Sequence, residues 1–236
     1  MIPYTAIAYA IGSFVFAFMV LRFYQYYSRE SSVFSGMILL FALSFFAFTL
    51  YTAIASLLFA DNGQALKSAV VAATFFQGLG SSFLAYLIVF MKLPLLSPRF
   101  TFLLFFGATL LTTYLVAGTP GVPVFDAAHG VVDWGTITAE HIPRVIIFFV
   151  TFIPMGYIFV QQYFSSKDPQ VKLRAVGLGA PLILGAFAAA IDLVLEQQLN
   201  LGPASGDIGQ IFIYSLLFFV LLFTQRPPRP QYVKEV

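Results

Sequence analysis

Arg144, Asp192 and Glu196 are the residues of this chain whose types and spacing most readily do chemistry. Each is an ionisable side chain in, or at the edge of, a long apolar run. A charge there is expensive and marks a functional position by default. Glu196 follows Asp192 at i+4, which puts both carboxylates on one helical face. The runs carrying Arg144 and Asp192 are consecutive and therefore antiparallel, so the three groups fall at a similar depth near one membrane face. An Arg144 pair with either carboxylate reads as charge neutralisation at the interface, or as the polar floor of an outward-facing cavity. Gln77, Tyr51, Thr52 and Gln210 fall in the same half of three other runs, and Trp134 lies in the loop above them. Together they outline a ligand pocket if the helices converge. Each alone also reads as an interhelical hydrogen bond, worth about 0.6 kcal/mol in membranes.

Other chemistry is largely excluded. The chain has no cysteine, which removes disulfides, thiolate metal sites and a cysteine nucleophile. No lysine falls within an expected span, so a retinal Schiff base has no attachment point. Both histidines, His129 and His141, lie in one outer loop, so a transmembrane pair of haem ligands is missing. His129, Asp126, Asp133, Glu140 and His141 follow no zinc-binding spacing. The run from Gly78 to Ser82 (Gly-Leu-Gly-Ser-Ser) has no histidine within reach to make a serine nucleophile. The expectation is a protein that is not an enzyme and that needs no cofactor and no metal.

The elements that position these residues follow from composition. The 236 residues are 60% hydrophobic and 9% charged; soluble domains carry about 25% charged residues. Such a chain cannot cover its surface in water, whereas a bilayer solvates it. Apolar runs fall at about 4–23, 33–59, 68–91, 100–116, 142–164, 175–195 and 208–224. Each approaches the roughly 20 residues that cross a bilayer, and in lipid only a helix of this length satisfies its own backbone. The fold class expected is an all-α integral membrane protein, a seven-transmembrane-helix bundle. The first run has no basic segment before it and reads as a retained helix rather than a signal peptide.

Basic residues segregate by loop. Arg22, Arg29, Lys92, Arg99, Lys167, Lys172, Arg174, Arg226, Arg229 and Lys234 fall on one side, ten of the twelve, and only Lys67 and Arg144 on the other. The positive-inside rule then puts the N-terminus outside, the C-terminus in the cytoplasm, and the protein in the cell membrane as a multi-pass chain. The net charge of +2 reads as topology, not as a nucleic-acid surface. The long outer loop, 118–141, has two β-prone stretches, 122–126 and 131–138, around a Gly-containing turn, and predicts a β-hairpin between the fourth and fifth helices. Its Trp134 reads as an interfacial anchor or as part of a lid. Gly177, Gly179, Gly185 and the neighbouring alanines predict close packing of the fifth and sixth helices, with Pro154 and Pro181 as kinks or hinges. Residues 1–225 read as one membrane domain and 226–236 as a Pro-rich, extended cytoplasmic tail.

Seven helices, an outer N-terminus, a short basic first loop and an outer hairpin before the fifth helix together resemble the seven-transmembrane N-terminal region of some bacterial and archaeal histidine kinases. The segment from Ser31 to Ser44 (Ser-Ser-Val-Phe-Ser-Gly-Met-Ile-Leu-Leu-Phe-Ala-Leu-Ser) is similar to that family's second helix after its charged loop. The resemblance covers residues 4–224 and departs from the family in that no output domain follows. It implies a non-enzymatic sensor or receptor-like bundle, or an accessory subunit, that binds a ligand or partner in its outer half and passes output to a separate signalling partner. Membrane lipids are the other expected partner. A small transporter or channel, coupled to protons or cations through Asp192 and Glu196, is an alternative reading, and a structural subunit of a larger membrane complex is another.

Overall fold

The structure is a computed structural model that describes residues 2–134, 142–192 (the last five by backbone alone) and 204–224. Seven helices are long and apolar enough to cross a membrane: α1 (Tyr4–Arg29), α2 (Val33–Leu58), α3 (Gly63–Lys92), α4 (Pro98–Gly118), α5 (Ile142–Ser165), α6 (Pro169–Asp192) and α7 (Ser205–Thr224). The protein is a multi-pass membrane protein.

The helices run past their apolar stretches. α1 continues through Arg22 to Arg29, and α3 starts at Gly63, so that Lys67 is helical. Short polar side chains set the starts: Ser32 accepts from the Ser35 amide at 3.2 Å, and Asn62 from the Ala65 amide at 3.1 Å. Ser97 caps α4 ahead of Pro98 in its first turn, where a missing N–H leaves no backbone bond unmade. Hydropathy places the start of α2 at Val33 but puts those of α3 and α4 a few residues late, because their first turns are polar.

Neighbouring helices pack in chain order from α1 to α4. α3 also meets α5, α5 meets α6, α6 meets α7, and α7 returns to α1. The result is a closed ring of α1, α2, α3, α5, α6 and α7, with α4 outside it against α3. Burial agrees, since 17% of the α4 span is buried against 50% of the α3 span. The ring's core is aromatic. Phe41, Phe45, Phe148 and Phe152 interlock, with the Phe148 and Phe152 rings stacked at 3.9 Å and Met155 fully buried in the same cluster. Several buried hydroxyls within the ring are satisfied locally: Thr49, Thr52 and Thr151 each donate to the carbonyl four residues back.

Between α4 and α5, strand β1 (Val124–Asp126) pairs antiparallel with β2 (Val131–Asp133), with Phe125 opposite Val132. The turn needs Gly130, whose φ of 68° suits a residue without Cβ. Asp126 folds the turn: Oδ1 accepts from the Ala128 amide at 2.9 Å, and Oδ2 lies 2.6 Å from the His129 Nδ1. That hydrogen bond from His129 holds the Asp126 carboxyl below the ordinary carboxylate value.

Candidate functional site

Arg144 and Gln77 meet. α5 presents Arg144 in its first turn, and α3 presents Gln77 at its middle. The Arg144 Nε donates to the Gln77 Oε1 at 2.5 Å. Depth follows from a second contact between the same helices, where the Lys92 Nζ donates to the Gln161 Oε1 at 2.9 Å. Arg144 lies 17 residues from Gln161, a rise of about 26 Å. The hydrocarbon core is about 30 Å thick, so the guanidinium lies just inside the level where the far headgroups begin, and it is half-buried.

Around this pair lies a small polar cavity between α3, α4 and α5, lined by Thr74, Gln77, Ser81, Thr109, Thr112 and Arg144. Its free volume is about 10 Å³, room for one water. Thr74, Thr109 and Thr112 donate to their own helices at 2.8–2.9 Å, which leaves their oxygens as acceptors. Ser81, one turn below Gln77, is buried and its Oγ has no hydrogen-bond partner. Close approach of α4 is what closes the cavity: a Cβ on Gly78 would stand 2.4 Å from a methyl carbon of Thr109. The cavity therefore combines a cation, an amide and several hydroxyls in an apolar wall. It suits an anionic or hydrogen-bonding group, and in this packed form it holds α5 against α3.

The other expected site residues go elsewhere. Tyr51 is exposed on α2, with its hydroxyl 3.4 Å from the Ser68 Oγ. Trp134 packs edge-on to Tyr9 at 6.3 Å and joins Phe125 over Ala55, Leu66 and Ala69. Gln210 is buried in α7, its Oε1 without a partner; α7 packs on α1 and α6 rather than on α3. Thr52 turns its hydroxyl back on its own helix. The side chain of Asp192, and Glu196 as a whole, lie outside the described residues. Among the described residues, Gln77 and Arg144 are the expected site residues that meet, while Tyr51, Trp134 and Gln210 face different neighbours around the ring. His129 and Asp126 bind each other, and among the described residues no three His, Asp or Glu side chains gather.

Sequence reasoning missed a second polar junction. The Thr5 Oγ1 donates to the Asp207 Oδ2 at 2.5 Å and accepts from the Val132 amide at 2.9 Å. The Tyr4 amide donates to the Gly130 carbonyl at 2.8 Å. The hairpin is thereby tied to α1 and α7. Both Thr5 and Asp207 are buried. An acidic residue just before an apolar run is a helix-start signal, and Asp207 ahead of Ile208 carries it; starting the seventh span at 208 left that residue in a loop.

No protein-family model matches the chain, and no curated protein matches it significantly.

Proposed function

We propose that this protein is a non-enzymatic, sensor-like membrane bundle whose responsive centre is the Arg144–Gln77 junction. The observation that carries the reading is a half-buried guanidinium near the outer edge of the apolar core, bonded to the middle of α3, beside the unpartnered Ser81 hydroxyl. A purely structural contact between α3 and α5 has no need of a charge there, since apolar packing serves better. A ligand or partner group that bonds Arg144 and Ser81 displaces Gln77 and loosens α5 from α3. α5 moves with α6, because Gly156 and Gly179 bring the two backbones close. The positive-inside rule supports an orientation with the hairpin end outside the cell and Lys92, Lys167 and Arg174 in the cytoplasm, where a separate signalling partner receives the movement. This is the arrangement that the resemblance to histidine-kinase sensor regions implies. The interlocked aromatic core that fills the ring between the helices favours a sensor over a conduit for protons or cations.

Native mass spectrometry of the protein purified in mild detergent tests the reading. The expected result is a small molecule or a partner chain retained in stoichiometric amount by the wild type and lost in Arg144→Ala. A bare wild-type monomer, or a large homomeric assembly indifferent to Arg144→Ala, overturns it, and the latter favours a structural subunit.

A further inference from the structure

The face of α3 turned away from Arg144 carries a different feature. Between the Gly63 half of α3 and α4 runs a groove of about 650 Å³, open along one side. Its residues are ordered by depth. Gln64, Lys67 and Ser68 lie in the first two turns of α3, and Val71, Phe75 and Phe76 lie one to two turns further in. All three apolar residues are only half-buried. Lys67 is itself half-buried, and its Nζ donates to the Thr119 carbonyl at the end of α4. An ammonium has three donors, so that bond leaves two for another acceptor. Lys67 lies 25 residues from Lys92 on the same helix, about 38 Å of rise, which brackets a hydrocarbon core of about 30 Å and puts Lys67 at headgroup level.

We propose that this groove binds one anionic glycerophospholipid, with its phosphate on Lys67 and an acyl chain along Val71, Phe75 and Phe76. Charge complementarity selects this occupant. A soluble anion gains nothing from the apolar floor. A neutral lipid, or the apolar face of another helix, leaves the ammonium's two free donors to water. The phosphate also reaches the hydroxyls at the groove's upper edge, where Tyr51 and Ser68 stand 3.4 Å apart. The site is separate from the Arg144–Gln77 junction, and its failure leaves that reading untouched.

The test is native mass spectrometry of the full chain in mild detergent with added phosphatidylglycerol or phosphatidylcholine of identical acyl chains. Wild type is expected to retain phosphatidylglycerol about fivefold better, the preference that one lysine gives at an anionic surface. Lys67→Gln abolishes the preference. Ala72→Trp fills the groove without touching the Lys67–Thr119 bond, and lowers retention of both lipids, which keeps the test decisive if Lys67→Gln does not fold. Excess glycerol phosphate leaves retention unchanged, which separates a lipid from a free phosphate. Equal retention of the two lipids by wild type overturns the proposal. So does a preference that survives Lys67→Gln, wild-type retention by Ala72→Trp, or a dimer that excludes lipid.

Discussion

Gln77 accepts from Arg144 in surroundings where water is scarce, so removing the amide leaves a guanidinium donor to be satisfied some other way. Gln77→Leu is expected to destabilise the bundle by about 1–3 kcal/mol, the range for leaving one partner of such a hydrogen bond unsatisfied. In an Arg144→Ala background the same change is expected to do almost nothing. A double-mutant cycle on reversible unfolding in micelles measures this, and simple additivity of the two changes counts against the junction. Asp126 offers a second check, outside the membrane. Its carboxyl is held low by the His129 hydrogen bond. A carboxyl with a depressed folded value stabilises its surroundings above the unfolded value, near 3.9, and loses that contribution as pH falls through the folded value. The turn is therefore expected to keep its amide protection at neutral pH and to lose it only in strong acid, whereas Asp126→Asn shows weak protection at every pH. Amide exchange at Ala128 and His129 reads both. At this scale the sequence showed which residues were costly but not who met whom. Arg144 and Gln77 both stood out as polar groups in apolar runs. Their pairing depends on the rotation of α5 about its axis, which tertiary packing decides.

Helix packing turns on a few glycines with neighbours at close range. A Cβ on Gly179 would lie 2.9 Å from the Cβ of Phe159, an atom fixed to its backbone, so α5 and α6 would have to separate. Gly179→Ala is expected to cost about 1–3 kcal/mol, as overpacking of a core does. Gly107 on α4 has nothing within 4 Å, and Gly107→Ala is expected to be neutral or to stabilise by up to about 1 kcal/mol through helix propensity. Thermal unfolding of the two variants side by side settles the comparison; equal shifts argue against a tight α5–α6 pair. Close packing of the fifth and sixth helices was legible from the small residues of α6. The equally tight crossing of α3 and α4 at Gly78 was not, because the Gly-Leu-Gly-Ser-Ser run lies among apolar residues that hydropathy treats alike. Nor could period or hydropathy place α4 outside the ring, since its apolar character matches that of helices within it.

Charge divides the whole molecule. Among the described residues, Arg22, Arg29, Lys92, Arg99, Lys167, Lys172 and Arg174 gather at one end of the bundle, and contacts bind that end together: Lys92 to Gln161, and the Arg174 guanidinium 5.7 Å from the Tyr26 ring centroid. Lys67 and Arg144 lie toward the other end, beside the hairpin. Such an imbalance sets membrane orientation through the translocation cost of Lys and Arg. The absence of cysteine makes the orientation measurable without a background. Gly121 precedes the hairpin, with nothing within 4 Å of an added Cβ, and Gln170 is exposed at the start of α6. A membrane-impermeant maleimide added to intact cells is expected to label Gly121→Cys nearly completely and Gln170→Cys only after permeabilisation. The opposite pattern would invert the bundle, put Arg144 and the Lys67 groove in the cytoplasmic leaflet, and turn the sensor reading inside out. Neutralising one basic residue, as in Lys92→Gln, is expected to leave both labelling patterns unchanged, because the remaining basic residues on that side still outnumber Lys67 and Arg144. A single substitution that flipped the chain would mean that Lys67 and Arg144, the two cations on the sparse side, carry more topological weight than their number implies.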